Sequence, residues 1–104
     1  MGFHDNCNII TGEIKEVMER VSESEVETLI KEILRAEKVF LIAVGRVFLS
    51  LQCFGKRLNH LGINVNIVGS VTEKAITDKD LLIVASGSGE SIVPRAIAEK
   101  AKKF

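Results

Sequence analysis

Lys38-Val39-Phe40-Leu41-Ile42-Ala43-Val44-Gly45-Arg46 is the stretch that decides the architecture. From Val39 to Val44 every residue is apolar, most are β-branched or aromatic, and Gly45 closes the run at once. A strand that is apolar on both faces is what a parallel sheet covered by helices on each side requires. The run is far too short for a membrane span, which takes roughly 18 apolar residues, and no longer run exists, so no membrane partner is expected. Downstream, Leu81-Leu82-Ile83-Val84-Ala85 predicts a second buried strand, whereas Asn64-Val65-Asn66-Ile67-Val68 alternates and suits a position nearer the sheet edge.

The segments between and around these strands carry helical spacing. Val47, Leu51, Phe54, Leu58 and Leu61 fall on one side of a helix from Val47 to Leu61, and Gly62 sits where a left-handed C-cap belongs. Gly69 to Asp80 reads as a polar connection with one helical turn around Glu73 to Ile76. After Ser86-Gly87-Ser88-Gly89-Glu90-Ser91 a helix is predicted from about Ile92, with Val93, Ile97, Ala101 and Phe104 on its buried side. Pro94 is acceptable in its first turn, where no amide partner is lost. Upstream of Lys38, Ile10, Ile14, Val17, Met18 and Val21 predict a helix from about Asn8 to Val21. Ser22-Glu23-Ser24-Glu25 is a capping-box pattern, and Val26, Leu29, Ile30, Ile33 and Leu34 continue a second helix to about Ala36.

The order is therefore two helices followed by β-α-β-(loop)-β-α, which places the chain in the α/β class with a doubly wound, flavodoxin-like parallel sheet of about three strands. Residues 1–104 read as a single domain, with a helical pair over 8–36 and the βαβ(loop)βα part over 38–104. Three strands is a short count for this architecture and the sequence stops inside or at the end of a helix, so an incomplete domain is expected.

Composition narrows the function classes. The 104 residues are 46% hydrophobic and 27% charged, a globular balance, and fourteen basic residues offset fourteen acidic ones. Without a basic excess, nucleic acid is not an expected partner. Met1-Gly2-Phe3-His4-Asp5-Asn6 has neither a basic nor an apolar leader region, and Asn6 stands where a myristoylation signal wants Ser or Thr, so a cytoplasmic location is expected. Cys7 and Cys53 read as two free thiols, with a disulfide or redox pair as the alternative. Neither His4 nor His60 has a second histidine one helical turn away, so no zinc site is expected.

In open parallel sheets ligands bind beyond the carboxyl ends of the strands. Two such ends stand out: Gly45-Arg46, and Ser86-Gly87-Ser88-Gly89-Glu90-Ser91. In the second, two glycines permit close backbone approach, three serines offer hydroxyls, and the amides of the following helix point to the same place. This is the pattern of an anion cradle, above all for a phosphate monoester. The competing reading is a Ser/Gly turn with Ser91 as an ordinary N-cap. The loop lacks the Lys of a Walker A motif, and Ile92 breaks GxGxxG, so ATP and dinucleotides are poorly supported. Leu49, Cys53, Lys56 and His60 form a second strip on their helix, with His60 roughly 140° from the apolar stripe. It is either a solvated histidine near a helix end or part of a surface that meets a neighbouring subunit.

Together, Gly45-Arg46, Lys56-Arg57-Leu58-Asn59-His60-Leu61-Gly62, Asp80-Leu81-Leu82-Ile83 and Ser86-Gly87-Ser88-Gly89-Glu90-Ser91 resemble the sugar isomerase (SIS) domain family. The nearest likeness is to its 6-phospho-3-hexuloisomerase branch, whose members typically read G-R-S-G, R-L-x-H-L-G and S-G-S-G-E-T at these places. The resemblance covers about Ile9 to Phe104 and makes 38–104 the phosphosugar-binding part. It implies an isomerase of the ribulose monophosphate pathway that interconverts 3-hexulose 6-phosphate and fructose 6-phosphate through a cis-enediol, as a homo-oligomer, without metal or organic cofactor. Ser86, Ser88 and Ser91 match the phosphate-binding positions, with the amides of Gly87 and Gly89 alongside, and Gly45 and Arg46 match the loop that faces the sugar. A histidine at the place of His60 is implied to assist ring opening or proton transfer, here in a neighbouring subunit.

Two departures matter. Val47 replaces the Ser that the family carries after Gly-Arg, and Ser91 stands for Thr. The family's catalytic glutamate lies in the second half of its domain, and Glu90 reads as an acid complementing the helix dipole rather than as a substitute base. The 104-residue chain alone is thus expected to be at most a feeble isomerase. A competing expectation is a non-catalytic phosphosugar-sensing module. A generic nucleotide binder ranks third, because Val68-Gly69-Ser70 stands where a ribose-binding acid would be.

Overall fold

The computed structural model describes residues 2–71, 73–86, 99 and 102. The chain divides into two compact units, Met1–Lys31 and Glu32–Phe104. In chain order the elements are α1 (Phe3–Glu19), α2 (Glu23–Arg35), β1 (Val39–Ile42), α3 (Gly45–His60), β2 (Val65–Ile67) and β3 (Leu81–Val84). The helix expected from about Ile92 lies outside the described residues.

In the first unit, α1 starts at Phe3 rather than near Asn8. Phe3 and Cys7 carry the apolar spacing of Ile10 and Ile14 one and two turns further upstream. The Gly2 amide donates to Asp5 Oδ2 at 3.2 Å, which satisfies one of the donors a helix start leaves over. At the other end, the Arg20 and Val21 amides donate to the Val17 and Met18 carbonyls at 3.1 and 3.2 Å and tighten the last turn. The Ser22 hydroxyl accepts the Glu25 amide at 3.3 Å, as the capping pattern predicts, and opens α2.

In the second unit, three parallel strands run in the order β2-β1-β3. Val39 pairs with Val65 on one side and Leu81 on the other, and the register continues to Leu41–Ile67 and Ile42–Val84. The unbroken apolar run is the central strand, and all of β1 is buried, with Val39 and Leu41 at zero exposure. Val39, Leu41 and Ala43 cluster with Ile33 of α2 and with Leu51 and Leu58 of α3. Among the described residues the alternating segment β2 takes an edge, as expected. The second apolar run, β3, is half-buried rather than buried, because among the described residues it too is an edge strand.

The buried side of α3 departs from the predicted stripe. Leu51 and Leu58 are buried as expected, but Leu61 is 77% exposed, and Phe54 and Val47 also face outward. Gly55 takes their place against the sheet, with Phe48 beside it. A Cβ on Gly55 would lie 2.6 Å from Leu41 Cδ1 and 3.3 Å from Val65 Cγ1, so the missing side chain lets the α3 backbone settle onto β1 and β2. The helix is thereby turned by roughly 60° from the orientation the larger apolar residues suggest. Its end is as predicted. Gly62 has φ +87°, and the Ile63 amide donates to the Leu58 carbonyl at 3.1 Å, the longer bond of a Schellman cap.

The helical turn expected around Glu73 to Ile76 is absent among the described residues of the connection, which forms turns instead. The Gly69 amide donates to Glu73 Oε2 at 2.9 Å, and the Glu73 amide donates to the Ser70 carbonyl at 3.1 Å.

Candidate functional site

Because all strands are parallel, their carboxyl ends emerge on one edge of the sheet. The Ala85 amide still donates to the Ile42 carbonyl at 3.1 Å, and the Val68 amide to the Leu41 carbonyl at 3.0 Å. Val44-Gly45, Val68-Gly69 and Ser86 therefore leave the sheet side by side, on strands roughly 4.8 Å apart. Gly45 and Gly69 both have positive φ, +65° and +90°. At Gly45 the left-handed turn carries the chain directly from β1 into α3, and among the described residues no atom outside its chain neighbours and its own helix backbone lies within 4 Å of where its Cβ would be.

Val44 caps α3 with extended backbone and no side-chain hydrogen bond, and no acidic residue lies in the first turn. The turn carries Arg46 instead, exposed, although a helix start favours negative charge. Free amides and a guanidinium at one helix start together favour an anion. The exposed first turn also holds Val47, where the resemblance expects a hydroxyl. Ser86, half-buried, enters the same edge from β3. Of the predicted phosphate-binding residues, Gly87, Ser88, Gly89 and Ser91 lie outside the described residues.

His60 is not near this edge. It is exposed at the last turn of α3, whose sixteen residues span about 22 Å along the axis from Gly45. Leu49, Cys53, Lys56 and His60 are all exposed, on the side of α3 away from the sheet. Cys7 and Cys53 are both free thiols. Among the described residues no group of three or more His, Cys, Asp or Glu is placed to hold a metal ion. No helix among them is long and apolar enough to cross a membrane.

A residue that the sequence offers only as part of the resemblance, without a role of its own, organises the opposite edge. The Asp80 side chain is fully buried. It accepts the Lys38 amide at 3.1 Å and the Thr77 amide and hydroxyl at 2.8 and 3.1 Å, and lies 3.4 Å from Lys38 Nζ. Burial works to raise its pKa. The Thr77 amide and hydroxyl, followed by the Lys38 ammonium, outweigh that and hold the carboxyl below its ordinary value. Lys38 Nζ also donates to the Ala75 carbonyl at 3.1 Å, so one ion pair pins the connection to the start of β1. A cavity of about 350 Å³ beside it, lined by Glu32, Arg35, Glu37, Asp78, Lys79 and Asp80 among others, lies at the amino ends of the strands, away from the candidate site. Thr77-x-x-Asp80 is the signal that marks this turn in the sequence.

No family model matches the chain. It is 42% identical over 87 residues to an uncharacterized protein of Methanothermobacter thermautotrophicus, covering 84% of this chain and 44% of that protein. It is 35% identical over 99 residues to the 3-hexulose-6-phosphate isomerase of Mycobacterium gastri, covering 95% of this chain and 50% of the enzyme. A crystal structure from Methanococcus jannaschii superposes with a TM-score of 0.85 at 33% identity, covering 96% of this chain and 59% of that one. That structure is described as implying the function of a 3-hexulose-6-phosphate isomerase. The α/β fold with its parallel sheet is thus shared with these proteins. The chain spans about half the length of the curated relatives it matches.

Proposed function

We propose that the chain is the phosphosugar-binding part of a SIS-domain isomerase of the 6-phospho-3-hexuloisomerase kind, acting on 3-hexulose 6-phosphate and fructose 6-phosphate in the cytoplasm. The observation that carries this reading is its 35% identity, over 95% of its length, to a protein named as that isomerase. The local geometry supports it: a left-handed glycine, an arginine at a helix start and a serine converge at the carboxyl ends of adjacent strands. In this reading Ser86, Ser88 and Ser91, with the Gly87 and Gly89 amides, hold the phosphate. Gly45 and Arg46 face the sugar. The Arg46 guanidinium stays protonated and neutralises the anion. The enediol step moves a proton from the carbon next to the carbonyl and returns it to the neighbouring carbon, which needs a base within hydrogen-bond reach. Glu73, the described carboxylate at this edge, is tied to the Gly69 amide. His60, about 22 Å away along its own helix, reaches a sugar site only in a neighbouring copy of the chain.

The alternative is a phosphosugar-binding module without turnover, which Val47 at the place of the expected hydroxyl favours. One assay separates the two. The 104-residue chain is compared with a chimera that appends the second half of the Mycobacterium gastri relative, both monitored for conversion of 3-hexulose 6-phosphate to fructose 6-phosphate. Turnover by the chimera, with the chain alone at least about 10²-fold slower, is expected, since a positioned base supplies roughly 10²–10⁴ in rate. A chimera that binds the sugar phosphate without turning it over would favour the binding module.

A further inference from the structure

An acid stands at the edge of the sheet that otherwise favours anions. Beyond β2 the chain folds through two successive turns. The Ser70 amide donates to the Ile67 carbonyl at 3.2 Å, with Gly69 at φ +90°, and the Glu73 amide donates to the Ser70 carbonyl at 3.1 Å. These turns bring the Glu73 side chain back onto the end of β2, where its Oε2 accepts the Gly69 amide at 2.9 Å. Directly after the strand, Val68-Gly69-Ser70 holds no acid, yet Glu73 supplies one to the same place from further along the chain. Among the described residues its Oε1 has no hydrogen-bond partner, and the carboxylate forms no ion pair with Arg46 at the neighbouring strand end or with Lys74 next to it in the chain.

A carboxylate at such an edge weakens the binding of every anion alike, unless the ligand also carries groups that a carboxylate binds. Hydroxyls are those groups, since an ionised carboxyl accepts O–H donors through short, charge-assisted bonds. In dinucleotide-binding sheets an acidic residue plays that part toward a ribose hydroxyl. We infer that Glu73 is a specificity-determining residue of the proposed site, whose Oε1 accepts a hydroxyl of the sugar at the end remote from the phosphate. The inference rests on the phosphosugar reading and adds to it the group that tells a sugar phosphate from a simple phosphate. Strand order sets the span. β3, leading to Ser86, and β2, leading to Gly69, flank β1, so their ends lie roughly 10 Å apart across the Gly45 corner. An extended six-carbon sugar with its phosphate on the Ser86 side reaches across that corner to the end of β2. A phosphate monoester without hydroxyls gains nothing from Glu73 and still meets its charge. Arg46 and Glu73 thus favour opposite groups, an anion and a hydroxyl, which a polyhydroxylated phosphate carries together.

The test is calorimetric titration of fructose 6-phosphate, and of methyl phosphate as a monoester without hydroxyls, into the 104-residue chain and its Glu73→Gln and Glu73→Ala variants. Glu73 is exposed, so circular dichroism should show both variants folded, and glutamine keeps an acceptor for the Gly69 amide while removing the charge. Both substitutions should weaken fructose 6-phosphate roughly tenfold, the effect of one lost charge-assisted bond. Methyl phosphate should bind both variants as well as the parent chain or slightly better. An unchanged affinity of Glu73→Gln for fructose 6-phosphate, or an equal loss for the two ligands, would overturn the assignment and leave the phosphosugar site standing. A loss confined to Glu73→Ala would do the same, since it would mark a residue that only holds the turn. Failure of the parent chain to bind fructose 6-phosphate at all would instead remove the phosphosugar reading, and the role of Glu73 with it.

Discussion

Replacing Gly55 with alanine sets two effects of opposite sign against each other, and the structure says which wins. In an open helix interior, alanine is more favourable than glycine by about 0.8–1 kcal/mol. At Gly55 the added methyl would stand 2.6 Å from Leu41 Cδ1, where carbon atoms normally rest roughly 3.5–4.0 Å apart. Either α3 lifts from the sheet by about 1 Å or Leu41 changes rotamer. Leu41 lies at zero exposure in the packed central strand, and Val65 Cγ1, 3.3 Å from the added methyl, crowds it from a second side. Overpacking of this kind costs about 1–3 kcal/mol. Gly55→Ala should therefore destabilise the sheet unit by about 0.5–2 kcal/mol net, and Gly55→Val by distinctly more. Gly12 is the internal control. It lies within α1 and, among the described residues, nothing outside its own helix backbone lies within 4 Å of its absent Cβ, so Gly12→Ala should raise helical stability by about 0.5–1 kcal/mol. Urea unfolding followed by circular dichroism measures both. A double-mutant cycle of Gly55→Ala with Leu41→Ala should show favourable coupling, because the shorter residue 41 relieves the clash. If Gly55→Ala stabilises as Gly12→Ala does, α3 does not rest on β1 through this glycine and the account of its orientation is wrong.

Two further outcomes follow from the site and from the clasp opposite it. Asp80→Asn should cost about 1–3 kcal/mol, because it weakens bonds from Thr77 and Lys38 to a buried charge. The folded pKa lies below the unfolded value of about 3.9, so this carboxylate's contribution is complete above that pH and is lost as pH falls through the folded pKa. Denaturation midpoints should accordingly drop less for Asp80→Asn than for the parent chain as pH is lowered below about 4, and equal drops would count against the clasp. In the isomerase-completed chimera, His60→Asn should reduce kcat and leave the binding of fructose 6-phosphate unchanged; a loss of binding without loss of kcat would show that His60 does not act in the reaction.

How far the sequence discloses the molecule depends on the range of the interaction concerned. Val39 to Val44 is legible as the central strand because an unbroken β-favouring run has one stable home, between two covered faces. Ser22 and Gly62 are legible because capping is decided within a few residues. Gly55 is not, since a glycine carries no weight in a hydropathy stripe; only the approach of Leu41 and Val65 shows why it faces the sheet while Leu61 does not. Asp80 escapes for a related reason. Its partner Lys38 is 42 positions away, and no local pattern joins them. The candidate site divides the same way. Gly45 and Ser86 declare themselves as residues at strand ends, and parallel pairing through Ile42 and Val84 brings them together. The separation of His60 from that edge is a matter of helix direction, which the motif alone does not express.

The central claim, that the strand carboxyl ends form a phosphosugar site, is tested most directly by calorimetric titration of fructose 6-phosphate into the chain and into its Ser86→Ala/Ser88→Ala double variant. The account predicts saturable binding by the parent chain and loss of most of the affinity in the variant, since each bond to a charged ligand is worth about 1.5–3 kcal/mol. Inorganic phosphate should compete in the parent chain. Identical isotherms for the two proteins would contradict the claim.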